Sequence, residues 1–468
     1  MPMETGCAYN TAKRIMKYLR KTLLLLIAIL SVSVKALAIE KTITVEKAGT
    51  LETLLGEDKD KITKLTLKGV LVKEDFAVIR DISRLTKLDI KDVDIKEILY
   101  GAFEECKMLT SIILPEELTE IGGRAFSECK SLTSIILPDG LTVIGSHAFY
   151  ECKSLISVII PESVSEIGSY TFYACESLTS IVIPDGVTEI GDCAFYECES
   201  LTSIVIPDGV TEIGTSAFSG CESLASIVIP DGVTEIGDSA FTRCESLTSI
   251  IIPNGVTTIG RAIFYGCKNL TSIIIPNGVT EIGYYAFYGC ESLTSIVIPD
   301  GVIWIEGASF MSCKGLTSIV IPDGVRKIEE YAFSNCSKLT AVTCKAIEPP
   351  LLDEDVFSRI SSTSKLYVPK GSLEKYISSS WNNYFQNNIY EMESSVSNEE
   401  ITTAPKFTVY TTSDGIQIQS NEATSIAVFS ISGKLIMQKQ VVGTEQIDVP
   451  QGVYVINADG HSQKVLVK

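Results

Sequence analysis

The chain has 468 residues, 39 Lys plus Arg against 58 Asp plus Glu, and a formal net charge of −19 at neutral pH. Nucleic-acid binding needs a basic footprint, which this balance does not supply. Length alone would allow two to four domains, but the periodicity of the middle of the chain overrides that prior.

The N-terminus reads as a secretory signal over residues 1–38. Lys13, Arg14, Lys17, Arg20 and Lys21 form a basic stretch, Leu23 to Val34 is apolar, and Ala36-Leu37-Ala38 is an A-x-A cleavage site. The apolar run is too short to span a bilayer comfortably. Met16 to Ala38 is already a complete signal of this kind. Residues 1–38 carry a net charge of +5, so their removal takes −19 to −24. Such acidity favours solubility and discourages non-specific contact with anionic surfaces.

Residues 39–100 are an irregular lead-in. Ile62 to Leu67 and Leu85 to Ile90 already repeat at 23, without the Phe and Cys that mark later units. They are expected to be degenerate repeats capping the N-terminal end, because a terminal unit has one side in water.

From residue 101 to 344 the period is strict. Eleven cysteines, Cys106 through Cys336, stand 23 residues apart, and a Phe sits three residues before each, Phe103 to Phe333. The unit reads A-F-x-x-C-x-S-L-T-S-I-V-I-P-D-G-V-T-E-I-G-x-x. A period in the twenties with aliphatic residues at fixed offsets marks a solenoid, whose coils bury their apolar faces only by stacking. In Leu109 to Leu114, alternation sends Ile112 and Leu114 inward and Ser111 and Ile113 outward. Pro115 then ends the strand, having no N–H to donate. In later coils Asp-Gly turns the chain, and the Val and Ile of V-T-E-I-G return to the core.

Disulfides are the first expectation for cysteines in an exported chain. Here the side chains of neighbouring coils would point in parallel at roughly 4.8 Å, and a bridge needs them to point at each other. A column of buried free thiols is expected instead. Cys344 takes an aliphatic core position, Cys7 lies in the leader, and Cys193, at a variable position, is the expected reactive thiol.

Residues 345–392 break the period and read as a C-terminal cap. Leu366 to Pro369 is one more strand, a helix is expected around Ser372 to Ser380, and Trp381, Tyr384 and Phe385 follow. Residues 393–405 are a polar linker. From Lys406 to Lys468 short alternating stretches with tight turns predict a small all-β, sandwich-like domain.

The repeat unit resembles the leucine-rich repeat of BspA-like, or treponemal-type, bacterial surface proteins. The resemblance runs from about Ile62 to Tyr390. It implies a leucine-rich repeat solenoid with short parallel strands and 23-residue coils. It further implies an extracellular adhesin or antigen. The tail is similar to the C-terminal sorting module of type IX secretion, through Val428-Phe429-Ser430-Ile431-Ser432-Gly433-Lys434, Val449-Pro450-Gln451-Gly452-Val453-Tyr454-Val455 and Lys464 to Lys468. On that likeness Gly433, Lys434, Pro450, Gly452, Tyr454 and Lys464 form the sorting motif. The likeness also implies engagement of secretion machinery and attachment to the outer-membrane surface of a Gram-negative bacterium.

Catalytic constellations are poorly supported. The only histidines are His147, at a variable coil position, and His461, in a tail turn. Neither has a local Ser or Cys partner of the kind nucleophilic catalysis needs. Two acidic columns repeat along the array. One follows the Pro, from Glu116 and Asp139 to Asp323; the other runs from Glu120 to Glu281. Calcium wants six or more converging oxygens, so solvated charge is the preferred reading, and no metal or cofactor is expected.

Two features point to recognition. The outward strand position is Ile or Val from Ile113 to Val320, beside a serine column; β-branched residues suit a strand, yet such a stripe is large enough to mark a binding surface. Aromatic residues gather at non-core positions: Tyr150, Tyr173 and Tyr196 in one group, and Tyr265, Tyr284, Tyr285, Tyr288 and Trp304 in another. Tyr and Trp are enriched at binding hot spots, and the second group is the expected ligand site. The expected partner is a host extracellular protein or glycan. A structural or antigenic surface-layer role, or a glycan-processing enzyme with a carboxylate pair in a cleft, are the alternatives.

Overall fold

The computed structural model describes residues 39–392 and, in the C-terminal region, 407–412, 415–430, 435–449, 452–458 and 461–467. The leader, the linker and Gly433, Lys434 and Pro450 of the sorting-like motif lie outside the described residues.

The first coils are β1 (Ile39–Val45), α1 (Leu51–Leu55), β2 (Ile62–Gly69), α2 (Lys73–Arg80) and β3 (Lys87–Val93). The three strands pair in parallel and extend into the regular array, Lys87 against Ser111 and Leu88 against Ile112. The nine-stranded parallel sheet so begun runs to Ser226–Val228. The same ladder resumes at Ser249–Ile251 with Ser272–Ile274, and again from Ser318–Ile321 through Ala341–Cys344 and Lys365–Val368. Within the regular array the register is 23 residues, as in Ser157 against Ser180, and it is 24 where the caps join, as in Lys87 against Ser111 and Ala341 against Lys365.

A second parallel ladder, not foreseen as strand, is formed by the Glu-Ile dipeptides. Glu97–Ile98 pairs with Glu120–Ile121, and Glu212–Ile213 lies between Glu189–Ile190 and Glu235–Ile236, paired with both. Each coil therefore holds its neighbour at two strand positions and turns at Pro-Asp-Gly between them.

The third side of each regular coil is neither strand nor helix. Ala-Phe-x-x-Cys is a run of turns whose amides donate to the next coil: Phe172 N to Ala194 O at 2.9 Å, Ala174 N to Tyr196 O at 2.7 Å. Two residues per turn run adopt positive φ, such as Tyr170 at 59° and Ala174 at 51°. The glycine that opens the run is demanded by close approach. A Cβ on Gly237 would lie 2.4 Å from the amide of Thr215.

The core is a set of columns along the solenoid. The phenylalanines from Phe103 to Phe333 are buried and stack ring on ring, for example Phe218 on Phe241 at 5.7 Å and 2°. Beside them the periodic cysteines are free and buried. From Cys129 to Cys336, each thiol donates to the carbonyl of the Phe 26 residues earlier, as Cys152 to Phe126 and Cys221 to Phe195, at 3.1 and 3.2 Å. Cysteine fits because it is small and apolar with one weak donor. Burial pushes these thiols up, that of Cys267 to about 12.

Both caps reuse the columns. Phe76 of α2 meets Phe103 edge-on at 5.4 Å, so the aromatic column starts one coil before the first Phe of the repeat. At the other end Phe357 continues it, 5.2 Å from Phe333, and Trp381 and Phe385 close it. Trp381 is fully buried, its indole N–H donating to Pro350 O at 2.9 Å. The single helix expected around 372–380 is two short ones, Leu373–Ile377 and Asn382–Phe385. The described C-terminal strands form a five-stranded antiparallel sheet with its own apolar cluster, including Ile416, Ile418, Ile426, Val428 and Ile456.

Candidate recognition surface

The turn side carries the aromatic residues. The rings stand at two positions of the run, two residues before the Phe and one residue after it, where most tyrosines are half-buried at the surface and a small residue such as Ser127 or Ser219 is buried at the second. The positive φ at the first of these positions throws even a bulky side chain outward, as at Tyr170 and Tyr285 (60°). Equivalent positions in successive coils then lie within stacking distance.

Four of the five expected ligand residues converge. Tyr265 and Tyr288 stack at 4.7 Å and 5°, and Tyr285 sets its edge against both, at 6.1 and 5.5 Å. Tyr284 packs on Tyr285 at 4.1 Å, with their hydroxyls 3.4 Å apart. The Tyr284 backbone N–H donates to Glu306 Oε2 at 2.7 Å, and Arg261 lies 5.8 Å from its ring centre. The neighbouring Tyr285 hydroxyl and burial push the Tyr284 phenol up to about 12. All four tyrosines are half-buried.

Trp304 is the exception. It stands in the second ladder between Glu281 and Lys327, 57% exposed, and is not among the ring contacts of the cluster. It occupies the outward Glu position of its coil, one side of the solenoid away from the turn run.

A second cluster of the same construction lies nearer the N-terminus. Tyr150, Tyr173 and Tyr196 stack in sequence at 4.7 Å. His147 stacks on Tyr170 at 4.6 Å and leans on Tyr150. Sequence reasoning grouped the first three and passed over His147 and Tyr170; the signal was that they share the position of Tyr285. His147 is lowered by burial and by the Arg124 charge, so it is a ring of this stack held toward its neutral form. Cys193, expected to be the reactive thiol, is the one described cysteine that is not fully buried. Burial raises its thiol, and the neighbouring Tyr170 hydroxyl opposes that shift. Between the clusters, the coils of Phe218 and Phe241 carry Ser216, Ser219, Ser239 and Thr242 at these positions.

Stacking decides what these clusters can offer. Within a column the ring faces cover one another, which leaves edges and hydroxyls toward solvent. That is a surface of hydrogen-bonding groups on a rigid apolar base. The acidic columns behave differently. Glu212 is raised by partial burial and by Glu189 and Glu235 one coil to either side. Among the described residues no group of three or more His, Cys, Asp or Glu is placed to hold a metal ion. No described helix is long and apolar enough to cross a membrane.

Comparison with known proteins agrees with this architecture. A family model described as the BspA type leucine rich repeat region matches residues 80–202, 188–314 and 280–404. Residues 395–467 match a domain of unknown function, DUF6383, which assigns no role to the tail. A leucine-rich repeat protein from Bacteroides ovatus is 28% identical, with 69% of this chain and 86% of that one covered and a TM-score of 0.58. A leucine rich cell surface protein from Faecalibacterium prausnitzii is 29% identical over 65% of this chain and 83% of that one, at a TM-score of 0.40. The leucine rich repeat protein of T. pallidum is 31% identical over 39% of this chain and 78% of that one, at 0.31. No curated protein matches the chain. With the family match running through the whole repeat array, the chain belongs to the BspA-type leucine-rich repeat family.

Proposed function

We propose that this is an exported, surface-attached recognition protein of adhesin type, without a catalytic role, and that its turn side binds a partner protein. The observation that carries the reading is the convergence of Tyr265, Tyr284, Tyr285 and Tyr288 from two successive coils into one rigid cluster. Tyrosine supplies a large contact area at little rotamer cost. A protein partner is favoured because the cluster joins one stacked pair, Tyr265 and Tyr288, to edge-on rings and their hydroxyls, a broad mixed apolar and hydrogen-bonding surface. Trp304 sits outside this site.

The test is a binding screen of the purified chain against extracellular matrix proteins and glycans, followed by alanine variants. Replacing Tyr285 or Tyr288 should weaken a genuine ligand by about 2 kcal/mol or more with unchanged melting. Lost stability with intact binding would make the tyrosines structural.

Export through residues 1–38 and sorting through the tail complete the proposal. They are supported by the signal-like N-terminus and by the sorting-like residues Gly433, Lys434, Pro450, Gly452, Tyr454 and Lys464. Deleting residues 406–468 should strand the protein in the periplasm of a host with type IX machinery; unchanged surface display would defeat the sorting role.

A further inference from the structure

The strand side of the solenoid has a surface that the fold does not need. From Ser111 to Val320 the two outward positions of every coil are Ser and Ile or Val. The aliphatic column is open to solvent at seven of its ten positions, from 42% at Val320 to 75% at Ile159 and 86% at Ile136, and half-buried at Val228, Ile251 and Ile274. Nothing in this stretch is charged, in a chain of net charge −19.

The end coils show that this is not a demand of the ladder. At the same register positions they carry Lys87 and Asp89 on one side, and Lys365 and Tyr367 on the other. Lys64, further out, reaches an ion pair with Glu40. Charge is compatible with the outward face and stops where the regular coils begin.

The exposed column offers on the order of 700 Å² of aliphatic surface, against the roughly 800 Å² per partner of a standard interface. Monomers rarely leave so large a contiguous apolar patch in water. We propose that this stripe is the contact between two copies of the chain, packed strand side to strand side about a two-fold axis. A like-charged pair can approach closely only through a face that carries no charge, and this face is uncharged over its full length.

The flanks differ between the two possible directions of the axis. Each strand leads into Pro and an exposed acidic column that includes Asp139, Asp185 and Asp208. An axis along the strands would set these columns against each other. An axis along the solenoid runs the facing strands antiparallel, so each coil faces its own copy, and sets each column against the edge before the strand, which carries Lys107, Lys130 and Lys153 in the first coils and Glu176, Glu199 and Glu222 in later ones. The tyrosine clusters lie on the turn side and stay free.

The test is sedimentation equilibrium of the purified full chain from about 1 to 100 μM, the range of weak to moderate self-association. The wild type should show a concentration-dependent dimer. The combined substitutions Ile136→Lys, Ile159→Lys and Val182→Lys place six like charges in the contact and should weaken dimerisation by about a hundredfold or more. Leu351→Lys, equally exposed but off the stripe, should leave it unchanged. Should the lysine variant melt early, the same three positions changed to Thr keep β-branching, remove apolar area and decide the matter. A wild type that stays monomeric throughout, or a dimer unmoved by both stripe variants, overturns the proposal.

Discussion

The helix-backed coils of residues 39–93 and the turn-backed coils from residue 101 onward share a strand ladder and differ in how their third side is held. In α2 the backbone bonds largely to itself, as in Phe76 N to Val72 O and Asp81 N to Ala77 O. In the turn runs, amides find partners in the next coil, Phe103 N on Ala125 O and Phe126 N on Ala148 O. A helix needs no neighbour to satisfy its backbone on that side; a turn run does. This is why the helix stands at the end of the array and the turns stand inside it.

The two ends of the turn ladder confirm the same accounting. Its first carbonyls have no preceding turn run to supply amides, and Arg80 of α2 reaches Ala102 O, one of them, at 3.5 Å and donates to the adjacent Gly101 O at 2.8 Å. Its last amides have no following run, and the C-terminal cap covers that end, with Tyr384 edge-on to Phe357 at 5.8 Å. A cation serves the acceptor end and an aromatic cap the donor end. Within the cap, the buried carboxylate of Asp75 accepts from the amides of Gly49, Leu51 and Val72 at 2.8, 3.1 and 3.1 Å, joining α1 to α2.

Alkali should separate the two regions most sharply. The buried thiols of the turn coils have folded pKa values raised above the ordinary 9.0, and the helix-backed coils contain no cysteine. With a raised folded pKa, the contribution is intact below pH 9 and falls as pH climbs from 9 toward the folded value. Each thiol then loses about 1.4 kcal/mol per pH unit. Denaturant titrations at pH 8 and pH 10.5 should show a collapse of the array, and equal midpoints would break the account.

Core truncation comes next. Phe218→Ala removes a ring stacked on both sides and should cost about 4 kcal/mol; Phe76→Ala, with one edge contact, should cost less, about 3 kcal/mol. Urea midpoints compare them directly. Asp75→Ala strands three amides in the cap and should cost about 3 kcal/mol, with hydrogen exchange rising first at Gly49 and Leu51 rather than in the array. An effect spread evenly over all coils would mean that the cap is not a separate unit.

The smallest effects test backbone strain. Glu197 sits at φ 53°, where the equivalent residue of the next coil is Gly220 at 77°. Glu197→Gly should stabilise by about 1 kcal/mol and Gly220→Ala should destabilise by a similar amount. Identical melting for both would show that the turn runs carry no strain.

The sequence by itself determined the period, the core columns, the burial of the free cysteines and the outward exposure of the Ile and Val stripe. Those features are written repeatedly at fixed offsets, and near-identical coils must stack in register, so one coil's pattern specifies all of them. Only the tertiary structure decided the rest. The second Glu-Ile ladder is too short to carry a strand signature. The caps occur once each, so no period announces that Phe76 joins the aromatic column or that Arg80 caps the first turn run. The aromatic clusters also needed coordinates. Whether two rings in different coils meet depends on the side of the coil and on the positive φ at the turn positions, which brings His147 to Tyr170 and Tyr285 to Tyr288 and leaves Trp304 on another face.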